Sequence, residues 1–425
     1  MPRPRNVLSR TRCASAVALA AAGGAALACR FLLTERHHSQ RRETAPVECA
    51  TEEKNNRTAA SCARRRRRPQ KNTFPPRVLY SAQSEHQDIS VVEYGKGPRS
   101  DIRLFIDGEL QFSSVDEYRY HECLVHPAVT LARSLVTASG NSNSRGGQSK
   151  ESGLCVLLLG AGDGLAAREV LKHGDAIASV DVVDMDSDIT DLFRNDTPHT
   201  VPRLVQLCEG AFEDEKVILH TTDAKSFLLR HETISKYDVV IMDLPDPVTE
   251  ELAQLYTVEF FSSALSALRQ DTGGVLVTHG GDIFAKRSSF WSIVETLRVA
   301  TMATEGRNLS LAVDDRSIAA YSALVPSFGL WGFTIACIGT LYDKATPAAT
   351  KACVQREDGN QVGTLAEFMQ RMQLPFVSRF LSQQTLGALF ELPPDVVTPS
   401  AAVQINTHAH PILHTLVQSD NIWAP

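Results

Sequence analysis

Short runs in which apolar and polar residues alternate open the folded part of the chain. The alternation recurs between Arg77 and Phe112, most clearly in Ile102–Ile106, and Asp107-Gly108 follows that run directly. A period of two is typical of strands with one buried face, and an Asp-Gly pair is a strong hairpin signal. The pattern therefore predicts a small antiparallel β unit.

The apolar positions change to a helical period between Glu117 and Ala138. This periodicity predicts one amphipathic helix. A stretch rich in Gly, Ser and Asn follows at Ser139–Gly153. Such a stretch is typical of a loop and is the best internal boundary of the chain.

Beyond that loop, mostly apolar runs of strand length alternate with helical segments. The runs are Cys155–Leu159, Val180–Asp184, Val217–His220, Tyr237–Met242 and Gly274–His279, and the first helix is placed at Leu165–His173. Alternating strands and helices favour a doubly wound, mostly parallel sheet. We therefore predict the fold class α/β, with a small N-terminal antiparallel β domain followed by a Rossmann-like doubly wound domain.

Four segments are predicted along the chain. Residues 1–73 form a basic leader and disordered linker, 74–138 the β domain plus helix, and 150–345 the Rossmann-like catalytic domain. The pattern loosens after Trp331-Gly332-Phe333. Residues 346–425 are therefore expected to form a helical or extended C-terminal extension.

Charge is divided unevenly over these segments. Met1 to Lys71 holds 16 Lys and Arg against 5 Asp and Glu, which leaves 27 basic and 44 acidic residues for the rest of the chain. A basic leader on an acidic body indicates targeting or surface attachment and argues against a nucleic-acid enzyme. An acidic body is compatible with a cationic substrate.

The leader carries a run from Ala14 to Cys29 that is about 16 residues long, shorter than the roughly 20 needed to span a bilayer. An organellar presequence (mitochondrion or plastid), a membrane anchor or signal, and a disordered tail all stay open. The run Arg64–Arg68 is interpreted as a solvated charge run, with a nuclear signal or a phosphate-binding patch as alternatives. The nine cysteines contain no CxxC pair, which favours reduced thiols in a reducing compartment.

A glycine loop joins the first apolar run to the helix after it. Gly160, Gly162 and Gly164 enclose Asp163, and Asp184 lies 20 residues beyond Gly164 at the end of the next predicted strand. In such folds the glycines let the backbone approach a nucleotide, and the acid of the second strand binds the ribose hydroxyls. Ala167 at the sixth position permits NAD.

Asp163, however, places a negative charge where a pyrophosphate would lie, and it suits a cationic ligand such as a sulfonium that carries an amine. Asp223-Ala224 follows the third predicted strand. Asp223 could accept a hydrogen bond from the exocyclic amine of adenine, or it could cap a helix.

Two carboxylates leave the end of the fourth predicted strand, in Asp243-Leu244-Pro245-Asp246-Pro247. Ligands bind at the carboxyl ends of strands in open α/β sheets, and the two prolines stiffen the loop. An amine nucleophile is protonated at neutral pH and must lose a proton before it attacks carbon. One carboxylate can hold the ammonium, and the other can take the proton.

These motifs together resemble the polyamine aminopropyltransferase family, the spermidine synthase-like enzymes. The resemblance runs from about Leu79 to Ala336. It depends on Ser84-x-x-Gln87-x-Ile89, Leu110–Ser114, Asp116-Glu117-Tyr118, Tyr120-His121-Glu122, His126-Pro127, Gly160–Gly164, Arg168–His173, Asp184-x-Asp186, Asp223-Ala224 and Asp243-x-x-Asp246-Pro247. The sequences of Gln111–Pro127 and Pro326–Phe333 are most similar to those of bacterial family members with membrane segments.

The resemblance implies a fold of the S-adenosylmethionine-binding type, often as a homodimer, and a role for each matching position. Tyr120 would line the amine channel, Asp243 would be the general base, and Asp246 would hold the acceptor amine. No cofactor or metal is implied, since decarboxylated S-adenosylmethionine is a co-substrate. Its binding residues would be Gln87, His121, Asp163, Asp184, Asp223 and Ala224.

The chain departs from the family pattern mainly at the acceptor end. His279 stands where the soluble synthases have a glutamine, Phe328 where they have a tyrosine, and Val248-Thr249-Glu250 where they have Gly-Pro. A methyltransferase and a catalytically quiet nucleoside-binding or membrane-associated protein therefore remain as alternatives. The spacing His408-x-His410-x3-His414 favours a solvated tail over a metal site.

Overall fold

A computed structural model of the protein describes residues 74–138, 153–304, 317–338, 364–397 and 403–420. The leader, the run Arg64–Arg68 and most of the predicted loop at Ser139–Gly153 lie outside the described residues. The expectations placed on them stay predictions.

The described elements follow one another as strands, then mixed strands and helices, then short helices. The strands are β1 (Arg77–Gln83), β2 (Asp88–Tyr94), β3 (Asp101–Ile106), β4 (Glu109–Ser113), β5 (Leu154–Leu159), β6 (Ile177–Asp184), β7 (Val217–Thr221), β8 (Val239–Met242), β9 (Gly274–Asp282), β10 (Ile318–Val325) and β11 (Gly329–Ile338). The α-helices are α1 (Glu117–Ala138), α2 (Leu165–Leu171), α3 (Ser187–Leu192), α4 (Pro202–Leu207), α5 (Ala224–Leu228), α6 (Glu250–Ala253), α7 (Val258–Ala267), α8 (Arg287–Thr304), α9 (Leu365–Arg371), α10 (Gln383–Leu389), α11 (Pro394–Val397) and α12 (Leu413–Ser419).

The first four strands form an antiparallel sheet in the order β1-β2-β3-β4. Asp107 and Gly108 make the turn between β3 and β4 with φ angles of 51° and 82°. Positive φ at both central residues is the geometry that favours Asp-Gly in a two-residue hairpin. The predicted small antiparallel β domain is confirmed.

A seven-stranded sheet follows, in the order β10-β11-β9-β8-β5-β6-β7. The pairs from β7 through β6, β5 and β8 to β9 are parallel, and β11 joins β9 and β10 in antiparallel pairs. The predicted Rossmann-like domain is confirmed, whereas the β10–β11 pair was not predicted. The strand order reverses between β5 and β8, and in open α/β sheets ligands bind at the carboxyl ends of the strands next to such a reversal.

Apolar side chains cover both faces of this sheet. In β5, Leu158 packs into one core with α1 and the β1–β4 sheet, and Leu157 and Leu159 pack into a second core with α7 and α8. Burial on both faces explains why the central strands are continuous apolar runs and do not alternate.

Helix α1 also anchors a C-terminal segment through Glu122, which is fully buried. Its carboxylate accepts hydrogen bonds from the backbone N–H groups of Arg379 at 2.9 Å, Phe380 at 2.8 Å and Leu381 at 2.9 Å, and from the Ser378 hydroxyl at 2.8 Å. A buried carboxylate without such donors would be costly. The segment 364–397 therefore packs against α1 and is held there by hydrogen bonds to Glu122.

No helix among the described ranges combines the length and the apolar character that a membrane crossing requires. The likeness to family members with membrane segments finds no support in this part of the chain.

Candidate active site

The part of the site that is predicted to bind a nucleoside begins at the loop after β5. A Cβ atom at Gly160 would lie 2.5 Å from the carbonyl oxygen of Asp243, and one at Gly162 would lie 2.5 Å from Oδ2 of Asp184. Any side chain at either position would displace an acid of the site. The loop Gly160–Gly164 thus lies against the ends of β6 and β8, and its glycines make this close approach possible.

Asp184 ends β6, and its carboxylate is held by two backbone donors. The N–H of Gly162 donates to Oδ2 at 3.0 Å and the N–H of Asp186 donates to Oδ1 at 2.9 Å. Burial outweighs both donors and raises the pKa of Asp184 to about 6. Above that pH the side chain is an oriented carboxylate at the carboxyl end of β6.

Gln87 reaches this edge from the β1–β2 turn. Its Nε2 donates to Oδ2 of Asp186 at 2.8 Å, and the Ser84 hydroxyl donates to the same oxygen at 2.6 Å. Asp186 also caps α3 by accepting from the N–H of Asp188. Gln87 therefore fixes the loop after Asp184 to the β domain through Asp186, whose part in this contact was not predicted.

Asp223 follows β7 at the same edge, because Thr222 donates its N–H to the Asp184 carbonyl at 3.0 Å. The Asp223 side chain accepts from the N–H of Ser226 at 2.8 Å and caps α5. The structure thus shows the helix cap, which uses Oδ2, and the contact to adenine stays a prediction. Ala224 is the first residue of α5 and is buried.

His121 projects from α1 toward the glycine loop. Its Nδ1 lies 2.9 Å from the Glu117 carbonyl oxygen and 3.0 Å from Glu117 Oε2, and its Nε2 lies 3.8 Å from Asp163 Oδ2. Burial alone would lower the pKa of His121, but the hydrogen bond to Glu117 and the charges of Asp163, Glu117 and Asp243 raise it to about 9. His121 is therefore an imidazolium at neutral pH.

Glu117 is in turn held by Arg168 of α2. The guanidinium donates to both carboxylate oxygens, at 3.1 and 2.8 Å, in a bidentate pair. Burial raises the pKa of Glu117, but His121 and Arg168 outweigh it and lower that pKa below its ordinary value. Both residues belong to the motifs of the family resemblance, but their pairing was not predicted. The pair holds Glu117 in the ionised form that hydrogen-bonds His121.

Asp163 lies between the two halves of the site. Its Oδ1 accepts from the N–H of Leu165 at 2.9 Å, at the start of α2. Burial and the nearby Asp243 raise the pKa of Asp163 to about 6, although the charge of His121 opposes that rise. His121, Asp163 and Asp243 each offer one ligand atom within 4.8 Å of the others, the only such group of three in the described ranges. One imidazolium beside two carboxylates suits a cationic organic ligand.

Asp243 leaves β8 and accepts a hydrogen bond of 2.6 Å from the Tyr120 hydroxyl. Tyr120 is 8% exposed. Its burial and the charge of Asp243 raise the pKa of Tyr120 well above its ordinary value, so the phenol stays protonated and donates. The structure thus brings the predicted base and the predicted channel residue into direct contact.

Asp246 lies three residues after Asp243 in the acidic loop, near the side chains of His279 and Lys286. Its Oδ1 is 3.6 Å from His279 Nδ1, and its Oδ2 is 3.7 Å from Lys286 Nζ. Tyr256 is fully buried and donates to the carbonyl oxygens of Leu244 at 3.0 Å and Pro245 at 3.1 Å. Tyr256 therefore fixes the backbone of the acidic loop between Asp243 and Asp246.

Aromatic rings wall the space around Tyr120. The ring centroids of His279, Phe328 and Trp331 lie 5.8, 6.4 and 6.4 Å from that of Tyr120, and His279 stacks on Trp331 with an interplanar angle of 23°. Of the two residues that depart from the family pattern, His279 lies next to Asp246, and Phe328 lies against Tyr120 and Trp331. His408, by contrast, lies 3.0 Å from Lys225 Nζ and belongs to no group that could hold a metal within the described ranges.

Comparison with known proteins agrees with this geometry. Residues 117–306 match the family model of the spermine/spermidine synthase domain. Over these residues the chain is similar to that domain, in agreement with the resemblance noted in the sequence.

Relatives of this chain carry related names. It is 34% identical over 348 residues to a polyamine aminopropyltransferase of Oceanobacillus iheyensis, covering 81% of this chain and 54% of that one. It is 39% identical over 259 residues to polyamine aminopropyltransferase 2 of Bacillus anthracis, covering 61% of this chain and 59% of that one. The chain thus spans a little over half the length of these relatives.

Solved structures share the fold. A spermidine synthase in complex with the transition state analogue AdoDATO superposes with a TM-score of 0.51 at 20% identity, covering 75% of this chain and 87% of that one. The spermidine synthase of Thermotoga maritima superposes with a TM-score of 0.50 at 21% identity, covering 75% and 86%.

Proposed function

We propose that this chain transfers an aminopropyl group from decarboxylated S-adenosylmethionine to an amine such as putrescine, giving spermidine and methylthioadenosine. The observation that carries this proposal is the Tyr120–Asp243 pair. In this pair an oriented carboxylate lies next to His121 and Asp163 and close to the glycine loop Gly160–Gly164.

The proposed reaction is a substitution at the carbon next to the sulfonium. The amine nitrogen forms a C–N bond, the C–S bond breaks, and its electron pair goes to sulfur as a neutral thioether. The acceptor must first lose a proton, because amines have a pKa near 10. Asp243 is the proposed acceptor of that proton, and the hydrogen bond from Tyr120 keeps the carboxylate in one orientation.

The other acids suit the cationic co-substrate. Asp163 places negative charge near the sulfonium and amine, and Asp184 presents a carboxylate to the ribose hydroxyls. The positively charged His121 offsets one of the two negative charges of Asp163 and Asp243, so that a net negative charge remains for the cationic co-substrate. Asp223 and Ala224 follow the neighbouring strand end, where we propose that they contact the adenine.

No metal or cofactor takes part in this proposal, since the sulfonium already activates the carbon. A homodimer is proposed from the family resemblance, and membrane contact through residues 1–73 remains a further proposal. Light scattering of the purified chain and activity after dialysis against a chelator test the dimer and the metal independence. A monomer, or activity that is lost and then restored by metal, contradicts the corresponding part.

The test of the reaction itself is a paired assay on the full chain. Decarboxylated S-adenosylmethionine is offered with putrescine, spermidine and related amines, and the products are identified by mass spectrometry. Asp243→Asn, which keeps the size of the side chain and removes its basicity, is assayed alongside. An aminopropylated amine that disappears in the variant is expected. No product with any amine, despite binding of methylthioadenosine, overturns the proposal.

A further inference from the structure

Arg168 of α2 is a buried guanidinium that two carboxylates share. Its Nη1 and Nη2 donate to Glu117, and its Nε donates to Oε1 of Glu169 at 2.8 Å. Nη2 also lies 2.7 Å from that oxygen, and Nη1 donates to the carbonyl oxygen of Leu207 at 2.7 Å. The guanidinium is planar and its donors point in fixed directions, so the acceptors on one edge decide where the other edge points. Glu169 therefore fixes the orientation in which Arg168 meets Glu117.

The carboxylate of Glu169 is fully buried and is held at both oxygens. Oε1 also accepts from Lys172 Nζ at 2.7 Å, and Oε2 lies 3.1 Å from Nε2 of the buried His126. Burial raises the pKa of this carboxyl, but the contacts with His126, Arg168 and Lys172 outweigh it and lower that pKa below its ordinary value. Glu169 is thus a buried carboxylate ion in one orientation.

An aromatic ring of the C-terminal segment covers the space behind Glu169. The ring centroid of Phe376 lies 5.0 Å from those of His126 and His173. The two imidazoles approach each other to 3.2 Å, from Nδ1 of His126 to Nε2 of His173. Charge interactions that are shielded from water are stronger than those between exposed side chains. The contacts of Glu169 therefore constrain its neighbours more than a surface ion pair does.

Hydrogen bonds lead from Glu169 to the proposed nucleoside site. Arg168 bonds both Glu169 and Glu117, and Glu117 Oε2 lies 3.0 Å from Nδ1 of His121. The other ring nitrogen of His121 lies 3.8 Å from Asp163 in the glycine loop. Each member from Glu169 to His121 is buried and has a partner on either side. A change at Glu169 therefore alters the donors that hold Glu117, and through them the imidazole.

We propose that Glu169 is a positioning residue for the nucleoside site. It acts through the Arg168–Glu117 pair, which holds the imidazole of His121 in the orientation that contacts the nucleoside. The inference rests on the proposed function and goes beyond it, because it gives a part in binding to a carboxylate that touches neither substrate. The alternative is that Glu169 only joins α2 to α1 and stabilises the fold.

Calorimetric titration of methylthioadenosine into the full chain separates these two possibilities. Glu169→Met removes the carboxylate at similar length, and Glu169→Gln retains an oxygen acceptor for Arg168. Lys172→Met is the matched control, because it removes another contact to the same oxygen that does not lead toward the site. Each Glu169 variant is also made together with His121→Leu. Urea unfolding and the stoichiometry of each titration report the folded fraction.

We expect Glu169→Met to weaken methylthioadenosine binding roughly 10-fold, the lower end of the range for a hydrogen bond to a charged group. Glu169→Gln should stay within about threefold of the parent protein, and Lys172→Met within about twofold. In the His121→Leu background, Glu169→Met should add less than about twofold, because residues that act through a shared partner are not additive. In turnover, Glu169→Met should raise the KM of decarboxylated S-adenosylmethionine and leave the KM of putrescine near that of the parent protein.

Each contrary result has a separate meaning. Unchanged affinity in a folded Glu169→Met protein overturns the inference, and so does an equal loss with and without His121→Leu, since Glu169 then supports only the fold. If Glu169→Met does not fold, Glu169→Asp takes its place in the same comparison. It shortens the side chain by one methylene group and should weaken binding roughly fivefold.

The proposed function is judged separately. A parent protein that binds methylthioadenosine but transfers nothing to any amine contradicts the proposed function, and the titrations still decide the part of Glu169. A parent protein that does not bind methylthioadenosine contradicts both.

Discussion

Gly162 offers a direct test of the proposed nucleoside site. A methyl group at this position would collide with Asp184, the carboxylate that is proposed to bind the ribose. The Cβ of Gly162→Ala would lie 2.5 Å from Oδ2 and 2.7 Å from Cγ of Asp184. An ordinary contact needs about 3.4 Å or more, so the carboxylate must move by roughly 1 Å. That shift breaks the 3.0 Å hydrogen bond from the Gly162 N–H and misdirects the carboxylate.

The loss can be estimated from the bonds involved. A hydrogen bond to a charged group contributes about 1.5–3 kcal/mol, and a displaced Asp184 gives up most of its bonds to the ribose hydroxyls. We expect the affinity for methylthioadenosine to fall by about 2–4 kcal/mol, which corresponds to roughly 30- to 1000-fold. Calorimetric titration of methylthioadenosine measures this loss, and Asp184→Asn should give a loss of similar size.

The matched control is Gly174→Ala. Gly174 has a φ of 59° and no atom within 4 Å of its Cβ position, so the change strains the backbone by about 1 kcal/mol without touching the site. It should lower stability slightly and leave methylthioadenosine affinity unchanged. A folded Gly162→Ala protein that binds methylthioadenosine within about threefold of the parent would refute the assignment of Asp184 to the ribose.

Three further outcomes are expected. Tyr120→Phe removes the 2.6 Å hydrogen bond to Asp243 and should lower kcat roughly 10- to 100-fold with little change in nucleoside affinity, and an unchanged kcat in steady-state kinetics argues against the oriented base. Asp163 and Asp184 both have a pKa of about 6, and the ligand needs their ionised forms. Titrations between pH 7.5 and 5 should therefore show affinity falling as the pH drops through 6, more steeply for the cationic decarboxylated S-adenosylmethionine than for neutral methylthioadenosine, and equal slopes would contradict the role of Asp163. Glu122→Gln weakens four buried hydrogen bonds to the C-terminal segment and should cost about 2–4 kcal/mol in urea unfolding, whereas a loss below about 0.5 kcal/mol would show that the segment docks without it.

Local patterns predicted the features that depend on neighbours in sequence. The alternation in Ile102–Ile106 and the Asp107-Gly108 turn lie within one hairpin, and the glycine loop joins one strand to one helix. Each of these signals is complete within about ten residues. The β domain and the mostly parallel Rossmann-like sheet could therefore be predicted from the sequence.

The features that were missed depend on residues far apart in the chain. Glu117 meets Arg168 across 51 residues, and Glu122 meets Leu381 across 259. No periodicity marks such partners, because each looks like an ordinary polar position of its own helix. The pair β10–β11 was missed for another reason: Ile318–Val325 contains many small residues and shows neither a continuous apolar run nor a clear alternation.

The carboxylate of Asp186 accepts hydrogen bonds from Ser84 and Gln87, which lie about a hundred residues upstream. These contacts affect how the protein folds. Contacts between such distant parts of a chain form slowly, because a large loop must close first. The pocket edge is therefore completed only when the N-terminal sheet docks. A nucleoside that binds only the docked form stabilises it by mass action. Amide hydrogens of β1 and β2 should then exchange more slowly when methylthioadenosine is present, although the nucleoside loop itself lies elsewhere in the chain.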